Sequence, residues 1–169
     1  CKFEQSRTED ALNVIFSECA ILACSFNDLS SDAFDGDFVT GFIRDSVFNG
    51  IGGDAIDLSG SNMTIEKVVA KEVGDKVVSA GESSRVELKK SRFQDVGIGV
   101  ASKDLSKTRI DDLQITLNQC LFQFKTDNDV QIISGLVGFD SNQRRSYFID
   151  GKVKGVQAYV SQGSPKRFL

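Results

Sequence analysis

Apolar residues recur along this chain at intervals of about 22 residues. Six six-residue segments each open on an aliphatic residue and close on an apolar one, and their first residues lie 22, 22, 23, 22 and 22 positions apart. They read ILACSF from Ile21, IRDSVF from Ile43, IEKVVA from Ile65, LKKSRF from Leu88, IDDLQI from Ile110 and IISGLV from Ile132. A fixed period of this length is typical of a solenoid, because one repeat can bury its apolar side only by stacking on the next.

A second set of short segments lies between these six and keeps the same period. Each segment places a mostly polar residue between two apolar or small residues, which is the period-2 alternation of a half-buried strand. Two or three short strands per repeat, with no long run of period 3.6, predict an all-β fold, a right-handed parallel β-helix of roughly seven coils. The segments are Leu12-Asn13-Val14, Phe34-Asp35-Gly36, Ile56-Asp57-Leu58, Val78-Ser79-Ala80, Val100-Ala101-Ser102 and Phe122-Gln123-Phe124.

The period also assigns the interior and the organisation of the chain. Residues 1–137 are expected to form the repeats, and residues 138–169, where the spacing is lost, the final coil and an irregular C-terminal cap. Cys1-Lys2-Phe3 matches the tail of a repeat, so we expect a missing N-terminal coil or domain as a partner. Two interior columns are predicted: Phe3, Phe26, Phe48, Ala70, Phe93, Ile115 and Val137, and Leu12, Phe34, Ile56, Val78, Val100 and Phe122.

Composition narrows the function. Of 169 residues, 40% are apolar and 26% charged, with a single Pro, which is typical of a folded domain. No run approaches 18 apolar residues, so no membrane span is expected, and the net charge of −4 argues against nucleic acid as a partner. The absence of histidine excludes Ser-His-Asp, Cys-His and His-metal chemistry.

The four cysteines do not form a metal-binding motif. No CxxC pair exists, which disfavours zinc. Cys1 and Cys24 occupy equivalent positions in neighbouring repeats, whereas Cys19 and Cys120 lie elsewhere. Buried thiols acting as small apolar side chains are the favoured interpretation, and a disulfide between Cys1 and Cys24 is left open.

Acidic residues dominate the outward positions of the first three repeats. Asp35, Asp37 and Asp57 are expected to form a carboxylate triangle, since equivalent positions on adjacent coils lie about 4.8 Å apart. Like charges this close require a cation or a raised pKa. The triangle is therefore a candidate calcium site or, if it shares a proton, a candidate catalytic group for acid/base chemistry on a sugar. A second series at the starts of the strands is predicted to cap turns, namely Asp10, Asp32, Asp54 and Asp75.

Other polar residues of the same columns extend this candidate surface. They are candidate ligand-binding groups, and Lys103 is also a candidate base: Asn13, Ser59, Glu82, Lys103, Asp104 and Lys125. Charge is unevenly distributed, with 11 acidic and 3 basic residues in 1–62, net −8, against 13 acidic and 17 basic in 63–169, net +4. Polarised charge along a solenoid is consistent with an extended binding surface.

Four strings in this order resemble a group of bacterial right-handed parallel β-helix repeat proteins. They are SDAFDGDF from Ser31, GGDAIDLSGSN from Gly52, GDKVVSAGESS from Gly74 and GIGVASKDLS from Gly97. Similar segments occur in large surface or secreted proteins. The resemblance implies the same fold and a secreted or cell-surface, polysaccharide-related setting in bacteria.

Three functions remain open on this basis. The first is a module that binds polysaccharide, which could be acidic, or serves as a surface structure, with calcium as a candidate stabilising ion. The second is a polysaccharide-active enzyme, either a hydrolase using Asp35, Asp37 and Asp57 or a lyase or epimerase using Lys103. The third is a scaffold for an activity on another domain. The short loops predict a shallow groove, which favours the first and third.

Overall fold

The computed structural model is a parallel β-solenoid. It describes residues 1–117, 121–124, 129–139, 148–149 and 152–154, with side chains for residues 1–115, and no helix occurs in these ranges. The strands are β1 (Lys2–Glu4), β2 (Asp10–Ile15), β3 (Glu18–Leu22), β4 (Ser25–Leu29), β5 (Asp32–Asp37), β6 (Thr40–Arg44), β7 (Val47–Ile51), β8 (Ile56–Ser59), β9 (Asn62–Glu66), β10 (Val69–Gly81), β11 (Arg85–Ser102), β12 (Lys107–Leu117), β13 (Leu121–Phe124), β14 (Asp129–Phe139), β15 (Phe148–Ile149) and β16 (Lys152–Lys154).

The strands stack in three columns, and every pair is parallel. One column begins β1, β4, β7 and continues into β10; the second begins β2, β5, β8 and also continues into β10; the third begins β3, β6, β9 and continues into β11. From β10 onward, single long strands run around a corner and so belong to two columns. Each coil therefore has three sides, and each side bonds to the coil before and the coil after.

The predicted all-β solenoid with a period near 22 residues is confirmed, with a smaller number of turns. Residues 1–115 form about five turns, against roughly seven expected for the whole chain. The expected number of coils referred to the whole chain, including the repeats after residue 115. The side chains of those later repeats are not described. The division at residue 137 stays a prediction.

The predicted interior columns lie in the core as far as residue 115, with Phe3 and Leu12 of the first coil half-buried. Phe122 and Val137 lie outside the residues with described side chains. Strand pairing places Phe3 beside Phe26, Phe26 beside Phe48, and Phe48 beside Ala70. The three phenyl rings stack face to face, with centroids 4.6 and 4.7 Å apart and planes within 3°. Phe26 and Phe48 are fully buried. In the second column, Phe34, Ile56, Val78 and Val100 are likewise 0% exposed. The 22-residue period thus places similar apolar groups directly on one another along the axis.

Each coil turns at residues in the left-handed backbone region, and these residues also form columns. Their φ angles lie near +50°, a conformation that residues other than Gly, Asn and Asp seldom adopt. The three columns are Gln5, Asp28, Gly50, Glu72 and Asp95; Phe16, Phe38, Gly60, Glu82 and Asp104; and Ala23, Asp45, Lys67, Lys90 and Asp112.

The third corner column changes the interpretation of the periodic segments. ILACSF is not a single strand, because Ala23 turns the chain between β3 and β4 and the segment spans a corner. The same holds at Asp45 and Lys67 in the next two segments. Both apolar ends of each segment face the core because the corner turns them toward it from two sides.

Buried serines satisfy backbone groups beside the corners. The hydroxyl of Ser61 accepts the N–H of Val39 (2.9 Å), Ser84 accepts that of Ser61 (2.9 Å), and Ser106 accepts that of Ser84 (3.1 Å). Ser61, Ser84 and Ser106 are at most 2% exposed. Backbone N–H groups left unpaired in the interior would be costly, so these hydroxyls complete the ladder where strands end.

The 23-residue interval between Ile65 and Leu88 has a structural location. Gly60 is equivalent to Glu82, 22 residues later, but Ser61 is equivalent to Ser84, 23 residues later. The additional residue is Ser83, which shares the left-handed conformation of Glu82. The next coil repeats this two-residue corner, so the insertion is absorbed outside the core.

The cysteines for which side chains are described are free thiols, so the disulfide left open between Cys1 and Cys24 is not formed. Cys24 is buried, and its Sγ donates to the carbonyl of Leu22 at 3.4 Å, whereas Cys1 is exposed. Cys24 thus acts as a small core residue beside a corner. Cys120 lies outside the described residues.

Phe26→Ala should lower the free energy of unfolding by about 3–5 kcal/mol, because it leaves a cavity and breaks two ring stacks. Phe38→Ala removes a phenyl ring that is 48% exposed and should cost about 1 kcal/mol. Urea denaturation of both variants measures the difference. Equal losses would contradict the assignment of the core.

Candidate functional site

A row of polar side chains lies outward on β2, β5 and β8. Asn13 pairs in register with Asp35, and Asp35 with Asp57, so one polar group occurs per coil. The row was expected to continue outward through Ser79 and Ala101, but these two are 0% and 1% exposed. Among the residues with described side chains, the accessible part of the row is therefore confined to Asn13, Asp35 and Asp57.

Asp35 occupies the centre of this row. Asn13 Nδ2 donates to Asp35 Oδ2 at 2.7 Å and reaches Asp10 Oδ2 at 3.4 Å. The pKa of Asp35 is raised to about 6, first by burial and then by the negative charges of Asp37, Asp10, Asp57 and Asp32, in that order. Near neutral pH this carboxyl therefore exchanges a proton readily, and a cation placed beside it would favour its ionised form.

The closest group of three carboxylates among the described side chains is Asp32, Asp54 and Asp57. One oxygen of each lies within 4.8 Å of the others. Two of these carboxylates also accept backbone N–H groups from the following coil: Asp32 Oδ1 that of Asp54 (2.8 Å), and Asp54 Oδ1 that of Lys76 (2.9 Å). These carboxylates connect successive coils through their corners.

Lys76 supplies a cation to this group. Its Nζ lies 3.2 and 3.3 Å from the two oxygens of Asp54 and 2.5 Å from Asp75. Asp54 is only 5% exposed, and burial raises its pKa to about 6 although Lys76 acts to lower it. Burial acts to lower the pKa of Lys76, but its hydrogen bonds and charge contacts with Asp75 and Asp54 outweigh this, so the pKa is raised. The group would offer hard oxygen ligands to calcium, but the ammonium already balances part of its charge.

The carboxylates proposed as a triangle, Asp35, Asp37 and Asp57, do not coincide with this group. Only Asp57 belongs to it. Residues two apart on an extended strand are separated by about 6.6 Å, so Asp35 and Asp37 are further apart than rung neighbours. Burial also raises the pKa of Asp32, with Asp57 and Asp10 adding to the effect and the N–H of Asp54 opposing it.

The other predicted ligand-binding residues lie along the same side, further down the axis. Ser59 is half-buried and pairs with Asp37, while Glu82 and Asp104 occupy the exposed corner column. Lys103 is half-buried and its chain lies over Gly81, since a Cβ built there would approach Lys103 Cε at 3.4 Å. Lys125 lies outside the described residues. Lys103 is therefore separated from the acidic row along the axis.

Two functional features were missed by sequence reasoning. The first is Lys76, which continues the series Asp10, Asp32, Asp54 at intervals of 22, where Asp75 had been chosen as the fourth member. Extending the period by one step would have found it. In the structure the Asp75 carboxylate contacts the Lys76 ammonium.

The second feature is an apolar ridge beside the acidic row. Phe16 and Phe38 stack at 4.8 Å with planes 6° apart, although they are 77% and 48% exposed. Phe38 lies directly over Gly60, where a Cβ would come within 2.5 Å of the ring. Ile15, which pairs with Asp37, is 52% exposed. We call Ile15, Phe16 and Phe38 the aromatic ridge; its signal in the sequence was Phe, Phe, Gly at intervals of 22.

These features define the protein as a parallel β-solenoid with an acidic, aromatic-edged face. No protein-family model matches the chain, and a search of curated proteins likewise finds no match. Within the described ranges, the chain contains no helix with the length and apolarity needed to traverse a bilayer.

Asp35→Asn should stabilise the protein at pH 7.5 and leave it unchanged near pH 3.5. Because the folded-state pKa of about 6 exceeds the ordinary 3.8, the folded form binds the proton more strongly, and wild-type stability falls as pH rises from about 4 to 6. The gain should be about 1 kcal/mol after solvent screening, measured by urea denaturation. Asp28→Asn, an exposed site on β4, is the control, and an equal gain at both pH values would contradict the assignment.

Lys76→Met should lower the free energy of unfolding by about 1–3 kcal/mol at pH 7.5, because it leaves the buried Asp54 without its cation. The loss should shrink at pH 4.5, where Asp54 takes up a proton instead. Lys71→Met removes an exposed ion pair with Glu72 and should have little effect. A loss independent of pH would show that Lys76 acts through packing alone.

Proposed function

We propose that this protein is a polysaccharide-binding β-solenoid module and that its ligand lies along the outward face of β2, β5 and β8. The observation that carries the proposal is the row Asn13, Asp35 and Asp57, one polar group per coil in strict register, beside the exposed Phe16–Phe38 stack. Sugars present both hydroxyl groups and apolar C–H faces, so they can use both parts of this surface.

The repetition of the coil suits a polymer rather than a small molecule. Successive rungs offer groups of similar chemistry at a constant interval of about 4.8 Å, and a linear chain can contact several of them at once. Amide and carboxyl groups accept or donate hydrogen bonds with hydroxyls at a surface accessible to solvent. Each contact is weak, and their sum along the face provides the affinity.

The resemblance to bacterial surface and secreted repeat proteins supports an extracytoplasmic setting for this module. In such a setting it would attach a larger protein to a glycan or hold another domain at the surface. A purely scaffolding role predicts that the acidic row binds nothing, so the binding experiment below separates the two.

A glycoside hydrolase is the second candidate, and the raised pKa of Asp35 favours it. A carboxyl with a pKa of about 6 can act as a general acid while a neighbouring aspartate stays ionised. The short loops predict a shallow face, which argues for binding rather than turnover. A cleft of about 190 Å³ elsewhere in the described part of the chain is lined by Lys67, Lys90 and Arg92 among others and includes none of these carboxylates. A lyase or epimerase using Lys103 has no comparable support, because Lys103 lies two coils beyond Asp57.

Affinity electrophoresis in gels containing neutral, acidic or amino-sugar polysaccharides tests the proposal. We expect at least one polysaccharide to retard the wild-type protein and Asp35→Ala to weaken the retardation at least fivefold, while Asp28→Ala leaves it unchanged. The same polysaccharides are incubated with the protein and assayed for new reducing ends. New ends that disappear in Asp35→Asn would establish the hydrolase instead, and absence of retardation by every polysaccharide would overturn the binding function.

A further inference from the structure

We propose that the polysaccharide bound by this face is an amino-sugar polymer. Its ring faces rest on the aromatic ridge of Ile15, Phe16 and Phe38, and its ammonium groups lie over the carboxylates of Asp35 and Asp37. This inference rests on the proposed polysaccharide-binding function and specifies the chemical class of the sugar.

The aromatic ridge is the apolar half of the argument. Its three side chains are between 48% and 77% exposed, although burying one large apolar side chain is worth about 1.5–3 kcal/mol. Gly60 continues the ridge without a side chain, so the Phe38 ring occupies the space that a Cβ at Gly60 would need. The exposed apolar side chains suit the C–H face of a sugar ring better than they suit the polar main chain of a peptide.

The charge beside the ridge is the polar half. Ile15 and Asp37 are register partners, and Asp35 precedes Asp37 by two residues on the same face of β5. Residues 1–62, which form this part of the solenoid, carry a net charge of −8. An acidic polysaccharide would be repelled here, and a neutral one would leave the carboxylates without a counter-charge. A protonated amino sugar carries the complementary charge on the same rigid ring that supplies the apolar face.

The placement of the two halves distinguishes a sugar from a basic peptide. Asp37 and Asp35 precede Phe38 by only one and three residues along the chain, and Asn13, Asp35 and Asp57 repeat along the axis at each coil. A polymer of amino sugars repeats its apolar and cationic groups together in every ring. A lysine-rich peptide carries its charge on long flexible side chains, which lose more conformational entropy on binding.

Isothermal titration calorimetry in 150 mM NaCl with four soluble probes tests the inference. The probes are the β-1,4-linked tetramers of glucosamine, N-acetylglucosamine and glucose, and tetralysine. We expect the glucosamine tetramer to bind at least tenfold more tightly than each of the other three. Phe38→Ala and Asp37→Asn should each weaken its binding at least fivefold, and Phe38→Tyr should retain it.

Matched controls separate this face from general charge and apolarity. Leu105→Ala removes an exposed apolar side chain elsewhere on the solenoid, and Asp28→Asn removes an acidic charge on another side; both should bind like wild type. Circular dichroism confirms that every variant is folded.

The remaining outcomes are each decisive. Tighter binding of the glucose or N-acetylglucosamine tetramer would overturn the amino-sugar inference and leave the polysaccharide-binding function standing. Tetralysine binding as tightly as the glucosamine tetramer would identify a site for basic peptides and overturn the inference. If no probe binds and no polysaccharide retards the protein, both proposals fail together.

Discussion

The hydrogen-bond ladder between successive coils is the constraint on which the rest of this structure depends. Every strand bonds to the same side of the next coil, so each coil must turn its corners at equivalent residues. At those corners the backbone adopts a left-handed conformation that costs non-glycine residues of order 1 kcal/mol each, and it does so at Phe16, Ala23 and Lys67 among others. The stacked core and the hydrogen bonds of the buried serines offset the cost of that strain. If one coil relaxed its corner residues, its strands would shift out of register and lose their hydrogen bonds to the neighbouring coils.

The interior columns could be predicted from the sequence because burial and periodicity coincide there. Phe26 and Phe48 recur at this interval in the inward column and are fully buried. The interval alone does not mark a core position, since Phe16 and Phe38 share it and are exposed. The corners could not be predicted, since Ala23 and Lys67 carry no sign in the sequence that they turn the chain. Their conformation is imposed by the neighbouring coils. For the same reason, the sequence does not show that each periodic segment crosses a corner between two strands.

The sequence predicted which residues form the candidate site and on which coils they lie, but not how their side chains are grouped. The acidic character of the first three coils followed from the register alone. Spacing along a strand exceeds spacing between strands, so Asp37 lies further from Asp35 than the register partner Asp57 does. The side-chain positions that bring Asp57 close to Asp32 and Asp54 could not be read from the register. Lys76 balances one edge of this acidic region, and apolar side chains border the other. The face thus has a lysine at one edge, carboxylates in the middle and apolar side chains at the other edge. A ligand with one charged side and one apolar side would fit this arrangement in only one orientation.

The two-residue corner at Glu82 and Ser83 shows how such a molecule can change in evolution. One additional residue was accommodated at a surface corner, and the pairing of β9 with β11 resumed beyond it without loss. Duplication of a complete coil would be accommodated still more easily, because the new coil would find equivalent partners above and below. The length of the outward face can therefore grow or shrink in whole steps, set by the number of coils rather than by redesign of any residue.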